Sequence, residues 1–98
     1  MILEVAQFAI TPGLEAEFEA GAAKAAELFA RAKGCQGMEV RRSLETPGRY
    51  LLLARWETLE NHTVDFRESE DFPKWRALVS HCFAGPPSVE HTEYAAGT

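Results

Sequence analysis

The chain has 98 residues, 46% of them hydrophobic and 26% charged, with a formal net charge of −5. That length fits one domain near the lower end of what buries a core unaided, and no apolar run approaches the roughly 20 residues of a membrane span. The acidic balance argues against nucleic acid as a partner, and two cysteines, Cys35 and Cys82, with no CxxC argue against a disulfide scaffold.

Ile2 to Ile10 reads as a first strand with both faces mostly apolar. Glu4 within it breaks the greasy run that a secretory leader would need, so a cytoplasmic protein with free thiols is expected. Thr11-Pro12 reads as a helix start, with Thr11 as cap and Pro12 in the first turn. Leu14, Phe18, Ala22, Ala25, Leu28, Phe29 and Ala32 then recur at helical spacing, and Gly34 supplies a stop. Gln36 to Ser43 is a second strand, Thr46-Pro47-Gly48-Arg49 a type II turn, and Arg49 to Glu57 a third strand. Thr58 can cap a short helix through Phe66. Ser69 or Asp71 can cap the next, in which Phe72, Trp75, Val79 and Cys82 share a stripe. Gly85-Pro86-Pro87 breaks that helix, and Ser88 to Ala95 reads as a closing strand.

The order β-α-β-β-α-β, with its second helix split, predicts an α+β, ferredoxin-like domain over residues 1–95 with a loose tail at 96–98. Both helices then cover one face of a four-stranded antiparallel sheet. Yet Leu51 and Leu53 join apolar residues of the first strand on the opposite face, where a wet surface should be polar. A homodimer packed sheet to sheet resolves the conflict.

Several residues could carry chemistry. Trp56 shares a strand face with Tyr50 and Leu52; it can be core or a platform for an aromatic substrate. His62 sits four residues before Phe66, and histidine titrates near neutrality, which suits a base for a phenolic proton; a partly exposed helix histidine with no task fits slightly better. Arg76, one turn after Phe72, either lays its stem over the apolar stripe or turns inward to hold an oxyanion. His81 and Cys82 fall on different helical faces and His91 stands apart, so core Cys82 and surface histidines are expected and no metal. There is no phosphate loop or Rossmann fingerprint, hence no cofactor. RNA recognition on this topology needs exposed stacking aromatics that the middle strands lack.

ITPG after the first strand, ARWET at the end of the third, and HTVDFRESEDFPKWR after it resemble the antibiotic biosynthesis monooxygenase domain of the dimeric α+β barrel superfamily. The resemblance covers nearly the whole chain. It implies a cofactor-independent monooxygenase or quinol oxidase that binds a small aromatic substrate and dioxygen. Trp56 matches the family's pocket tryptophan and Arg76 a pocket arginine, while His62 replaces a tyrosine and Leu52 an asparagine. His62 and Arg76 are thus the expected catalytic residues, with Trp56, Tyr50, Leu52, Phe66 and Phe72 binding substrate. The haem-degrading branch fits worse, because its asparagine, tryptophan and histidine positions hold Ala6, Asp65 and Arg76. A non-catalytic ligand-binding or stress-related protein and a small-metabolite isomerase are the alternatives on the same fold.

Overall fold

Two apolar strands with alternating faces set the middle of the molecule. In the computed structural model, which describes residues 1–98, β1 (Ile2–Ala9) and β3 (Arg49–Trp56) run antiparallel at the centre of a sheet ordered β2-β3-β1-β4. β2 (Cys35–Arg42) forms the hairpin with β3, and β4 (Ser88–Glu93) closes the other edge against β1. The hairpin turns as its Pro-Gly pair requires: the Arg49 N–H donates to the Thr46 carbonyl at 3.1 Å, with Gly48 at φ +81°. This is the ferredoxin-like α+β arrangement expected from the element order. No helix is long and apolar enough to cross a membrane.

Two helices, α1 (Glu15–Ala30) and α2 (Asp71–Val79), pack on one face of the sheet. Their inward side chains, Phe18, Ala25, Leu28, Phe29, Trp75 and Val79, meet Ala6, Phe8, Tyr50, Leu52, Ala54 and Trp56 from the strands. Phe29 sits at the hub, edge-on to Trp75 at 5.3 Å and tilted against Phe66 at 4.8 Å. Truncating such a residue to alanine costs ~3–5 kcal/mol. The helices approach closely at Gly21, where any Cβ would run into the Leu78 carbonyl oxygen. Across the sheet the other face is uncovered, and Leu3, Val5, Leu51 and Leu53 stand there half-buried.

Both ends of α1 differ from the reading of the sequence. Thr11 is not its cap: its carbonyl accepts the Leu14 N–H at 3.0 Å and closes a turn. Gly13, at φ +94°, then takes the chain out of helical geometry after Pro12, so the helix starts at Glu15. At the far end the helix stops at Ala30 rather than Gly34. Gly34 serves a different contact. It holds φ +78°, its carbonyl accepts the Glu57 N–H at 2.8 Å, and a Cβ there would collide with the Asn61 amide.

Candidate functional site

The site grows from one charged residue on the buried face of β1. Glu4 is 4% exposed, and the register sets it between Ala54 of β3 and His91 of β4. Ala54 and its neighbour Ala6 are small, so rings from farther along the chain fill the space beside the carboxyl. The Trp56 indole Nε1–H donates to Glu4 Oε1 at 3.0 Å. His62 Nε2 lies 3.4 Å from the same oxygen, and its ring stacks on Trp56 at 5.1 Å. On its other side, His62 Nδ1 is 2.7 Å from His91 Nε2.

His62 reaches this position because of an unusual turn. Asn61–Phe66 is π-helical, with the Arg67 N–H donating to the His62 carbonyl. The wider turn buries Asn61 and His62, consecutive residues, together with Phe66. Thr58 caps it as expected: its Oγ1 accepts the Asn61 N–H at 3.2 Å, while Asn61 Oδ1 accepts the Thr58 N–H at 3.0 Å. The Asn61 amide also donates to Asp65 at 3.1 Å, so the segment is held from both sides.

Burial governs the electrostatics. It raises the Glu4 carboxyl from 4.5 to about 7, against the opposing pull of the Trp56 hydrogen bond and the Arg67 guanidinium. Burial also lowers His62 from 6.5 to about 4, helped by Arg67 and His91. His91 is lowered by burial and Arg67 as well. At neutral pH both histidines are therefore uncharged, and the Glu4–His62 contact joins a carboxyl to a neutral ring rather than two ions. Glu4 is the group poised to gain or lose a proton near pH 7.

Above this cluster lies a cavity of about 390 Å³, within the range that holds small ligands. Glu4, Ala6, Leu52 and His62 form part of its wall, together with the aromatic rings of Phe8, Phe72, Trp75 and Phe83. Two exposed arginines, Arg67 and Arg76, also line it. An apolar chamber with a titrating carboxyl inside and guanidinium groups on its wall suits a flat molecule that carries or develops negative charge.

The structure thus brings Leu52, His62, Phe72 and Arg76 together on one cavity. Trp56 and Phe66 lie one layer behind, both fully buried: Trp56 backs His62, and Phe66 packs 5.7 Å from Trp56 and 5.8 Å from Phe72. Tyr50 belongs elsewhere, correcting its grouping with the pocket residues. It shares a strand face with Trp56 but lies six positions away, roughly 20 Å at about 3.3 Å per residue. Its hydroxyl donates to Glu19, in a groove shared with Arg42.

The sequence reading did not place three polar residues in the cluster: Glu4, Arg67 and His91. Glu4 did leave a signal, as the one charged residue on a strand face otherwise made of Ile2, Ala6, Phe8 and Ile10. His91 is half-buried against His62 rather than a free surface residue. A second correction concerns His81 and Cys82. Ser80–Cys82 is a 3₁₀ turn rather than α-helix, and both side chains reach Glu17, with Cys82 Sγ 3.8 Å from its Oε2. Burial and the Glu17 carboxylate push the Cys82 thiol up.

Known proteins share this architecture. The sequence profile of the family described as Antibiotic biosynthesis monooxygenase matches residues 1–78. The uncharacterized protein YczJ of Bacillus subtilis (strain 168) is 40% identical over 91 residues, spanning 93% of this chain and 96% of that protein. A crystal structure from Bordetella bronchiseptica, assigned to the antibiotic biosynthesis monooxygenases, is 53% identical with a TM-score of 0.94, covering 97% of each chain. SnoaB, a cofactor-independent oxygenase from Streptomyces nogalater, is 18% identical with a TM-score of 0.83 over 98% of this chain and 94% of its own; it shares the fold. With the profile spanning most of its length and relatives of this identity along nearly all of it, the chain belongs to the antibiotic biosynthesis monooxygenase family.

Proposed function

We propose that the cavity above Glu4 and His62 oxidises a small electron-rich phenol or quinol with dioxygen and no added cofactor. One observation carries the reading: a single aromatic-walled chamber joins a buried acid–base cluster to the guanidinium of Arg76. Such a substrate supplies the redox chemistry itself once its hydroxyl, of pKa about 10, loses a proton. The phenolate passes one electron to dioxygen, giving a phenoxyl radical and superoxide. Their recombination at a ring carbon forms a C–O bond, and loss of water from the resulting hydroperoxide leaves the quinone. One phenol and one O₂ give one quinone and one water; a quinol instead surrenders two electrons and two protons, giving quinone and hydrogen peroxide.

The protein's share is electrostatic. Phe72, Phe8 and Phe83 line the space that holds the ring. Arg76, aided by Arg67, stabilises the oxyanion where it develops. Trp56 acts from beneath, fixing His62 rather than touching substrate. Two copies packed through Leu3, Val5, Leu51 and Leu53 form the working unit, since that apolar strip has no cover in one chain. Aerobic oxygen uptake across a panel of hydroquinones and naphthols tests the reading. Turnover that falls ~10²-fold or more in Arg76→Ala is the expected result. Unchanged turnover in that variant removes the arginine from the chemistry, and a bound phenol without oxygen uptake makes the protein a carrier.

A further inference from the structure

Glu4 is expensive to bury and the fold does not need its charge. Trp56 requires one acceptor oxygen, which a glutamine amide would provide without a carboxyl driven toward its neutral form. The geometry shows what the carboxylate adds. Oε1 accepts from Trp56 Nε1 and lies 3.4 Å from His62 Nε2, whereas Oε2 has no partner. No buried side-chain oxygen in the protein goes unpaired, so Oε2 is open, and Glu4 lines the cavity.

The histidines complete the arrangement. With Glu4 ionised, Oε1 can only accept, which favours the His62 tautomer that carries its proton on Nε2. Its Nδ1 is then an acceptor, and the 2.7 Å contact requires His91 to donate from Nε2. One tautomer satisfies both contacts, and each ring orients the next. The other charged and titratable groups around Glu4 are Arg67, after the π-helical turn, and Cys35 of β2, whose thiol feels the carboxylate; Arg76 shares the cavity.

We infer that Glu4 Oε2 is the proton acceptor of this site, with His62 and His91 as positioning residues that hold Oε1 and aim Oε2 at the substrate hydroxyl. The step is one proton transfer: the substrate O–H bond breaks, an O–H bond forms at Oε2, and the negative charge moves to the substrate oxygen beside the arginines. This rests on the reading of the cavity as a phenol site. It moves the role of base from His62, whose Nδ1 is engaged by His91 and whose Nε2 faces Glu4, to a carboxylate with a free oxygen.

The test uses 4-nitrophenol, whose absorption shifts on ionisation and which resists oxidation, so no turnover is needed. The wild-type protein should bind it and ionise it at pH values where the free probe is neutral. Glu4→Gln, which keeps an acceptor for Trp56, should bind the probe with at least ~tenfold loss of the ionised form. His91→Ala frees His62 to change tautomer and removes a donor from Oε1. The pH midpoint of probe ionisation should then move acid by about one unit, because a carboxylate that loses one donor holds its proton more tightly, an effect that a merely structural role would not produce. Circular dichroism confirms that each variant is folded, and Glu4→Asp keeps the carboxyl as a second probe of its reach. Ionisation retained in Glu4→Gln but lost in His62→Gln overturns the assignment in favour of His62. An unshifted midpoint in His91→Ala overturns the positioning chain. Failure of the wild-type protein to bind the probe at all sinks the cavity reading together with this proposal, whereas binding without loss in Glu4→Gln sinks the proposal alone.

Discussion

Replacing Glu4 with glutamine should turn a nearly level dependence of stability on pH into a rising one. In the folded protein the Glu4 carboxyl titrates at about 7 instead of 4.5, so between those values the folded state holds a proton the unfolded state has lost. Stability is then lost as pH rises through that window. Each pH unit of difference corresponds to about 1.4 kcal/mol, which makes the Glu4 contribution about 3 kcal/mol. His62 acts in the opposite sense: its value drops from 6.5 to about 4, so the unfolded chain binds the extra proton and stability rises with pH from 4 to 6.5. The two nearly cancel in the wild-type protein. Glu4→Gln removes one side, and its profile should climb from pH 4 to 6.5 and then level off. Relative to wild type, the variant should gain about 3 kcal/mol between pH 4.5 and 8. Urea unfolding followed by the fluorescence of buried Trp56 and Trp75, at fixed protein concentration, measures the difference. Profiles that stay parallel across this range would show that Glu4 titrates as an ordinary carboxyl, and the account of the buried cluster would fall.

Other substitutions probe the scaffold. Gly21→Ala should cost ~1–3 kcal/mol in urea unfolding, because the new methyl meets the Leu78 backbone and the helices must separate. Tyr50→Phe should lose ~1 kcal/mol with its hydrogen bond to Glu19, yet leave 4-nitrophenol binding intact, since Tyr50 stands outside the cavity. Leu53→Glu places a charge in the uncovered apolar strip; sedimentation should show the pair of copies dissociating, and a variant that stays paired would place the interface elsewhere.

The fold was legible because its signals were periodic. Alternation in β1 and β3, the helical stripe of α1 and the Pro-Gly turn each reflect a short-range constraint that leaves a pattern in the chain. The errors came where a single residue overrode a pattern. Gly13, in left-handed geometry, undid a helix start that Thr11-Pro12 would otherwise favour. The site was only half legible for a related reason. His62 and Arg76 stood out by residue type, but the partners of His62 arrive from β1 and β4, through register and a crossover that no local window contains. Glu4 was visible as an anomaly on an apolar face, and its meaning depended on which rings would surround it.

The π-helical turn at Asn61–Phe66 ties the site to the fold, because it carries both His62 and the core residue Phe66. An i→i+5 turn accommodates one residue more than the α-helical turn that could join the same ends. Deleting a single residue there would restore ordinary helical pitch, swing the imidazole away from Glu4 and pull Phe66 off Phe29 of α1 and Trp56 of β3. One codon there therefore reaches both the buried cluster and the core, so neither can be altered at this turn without the other.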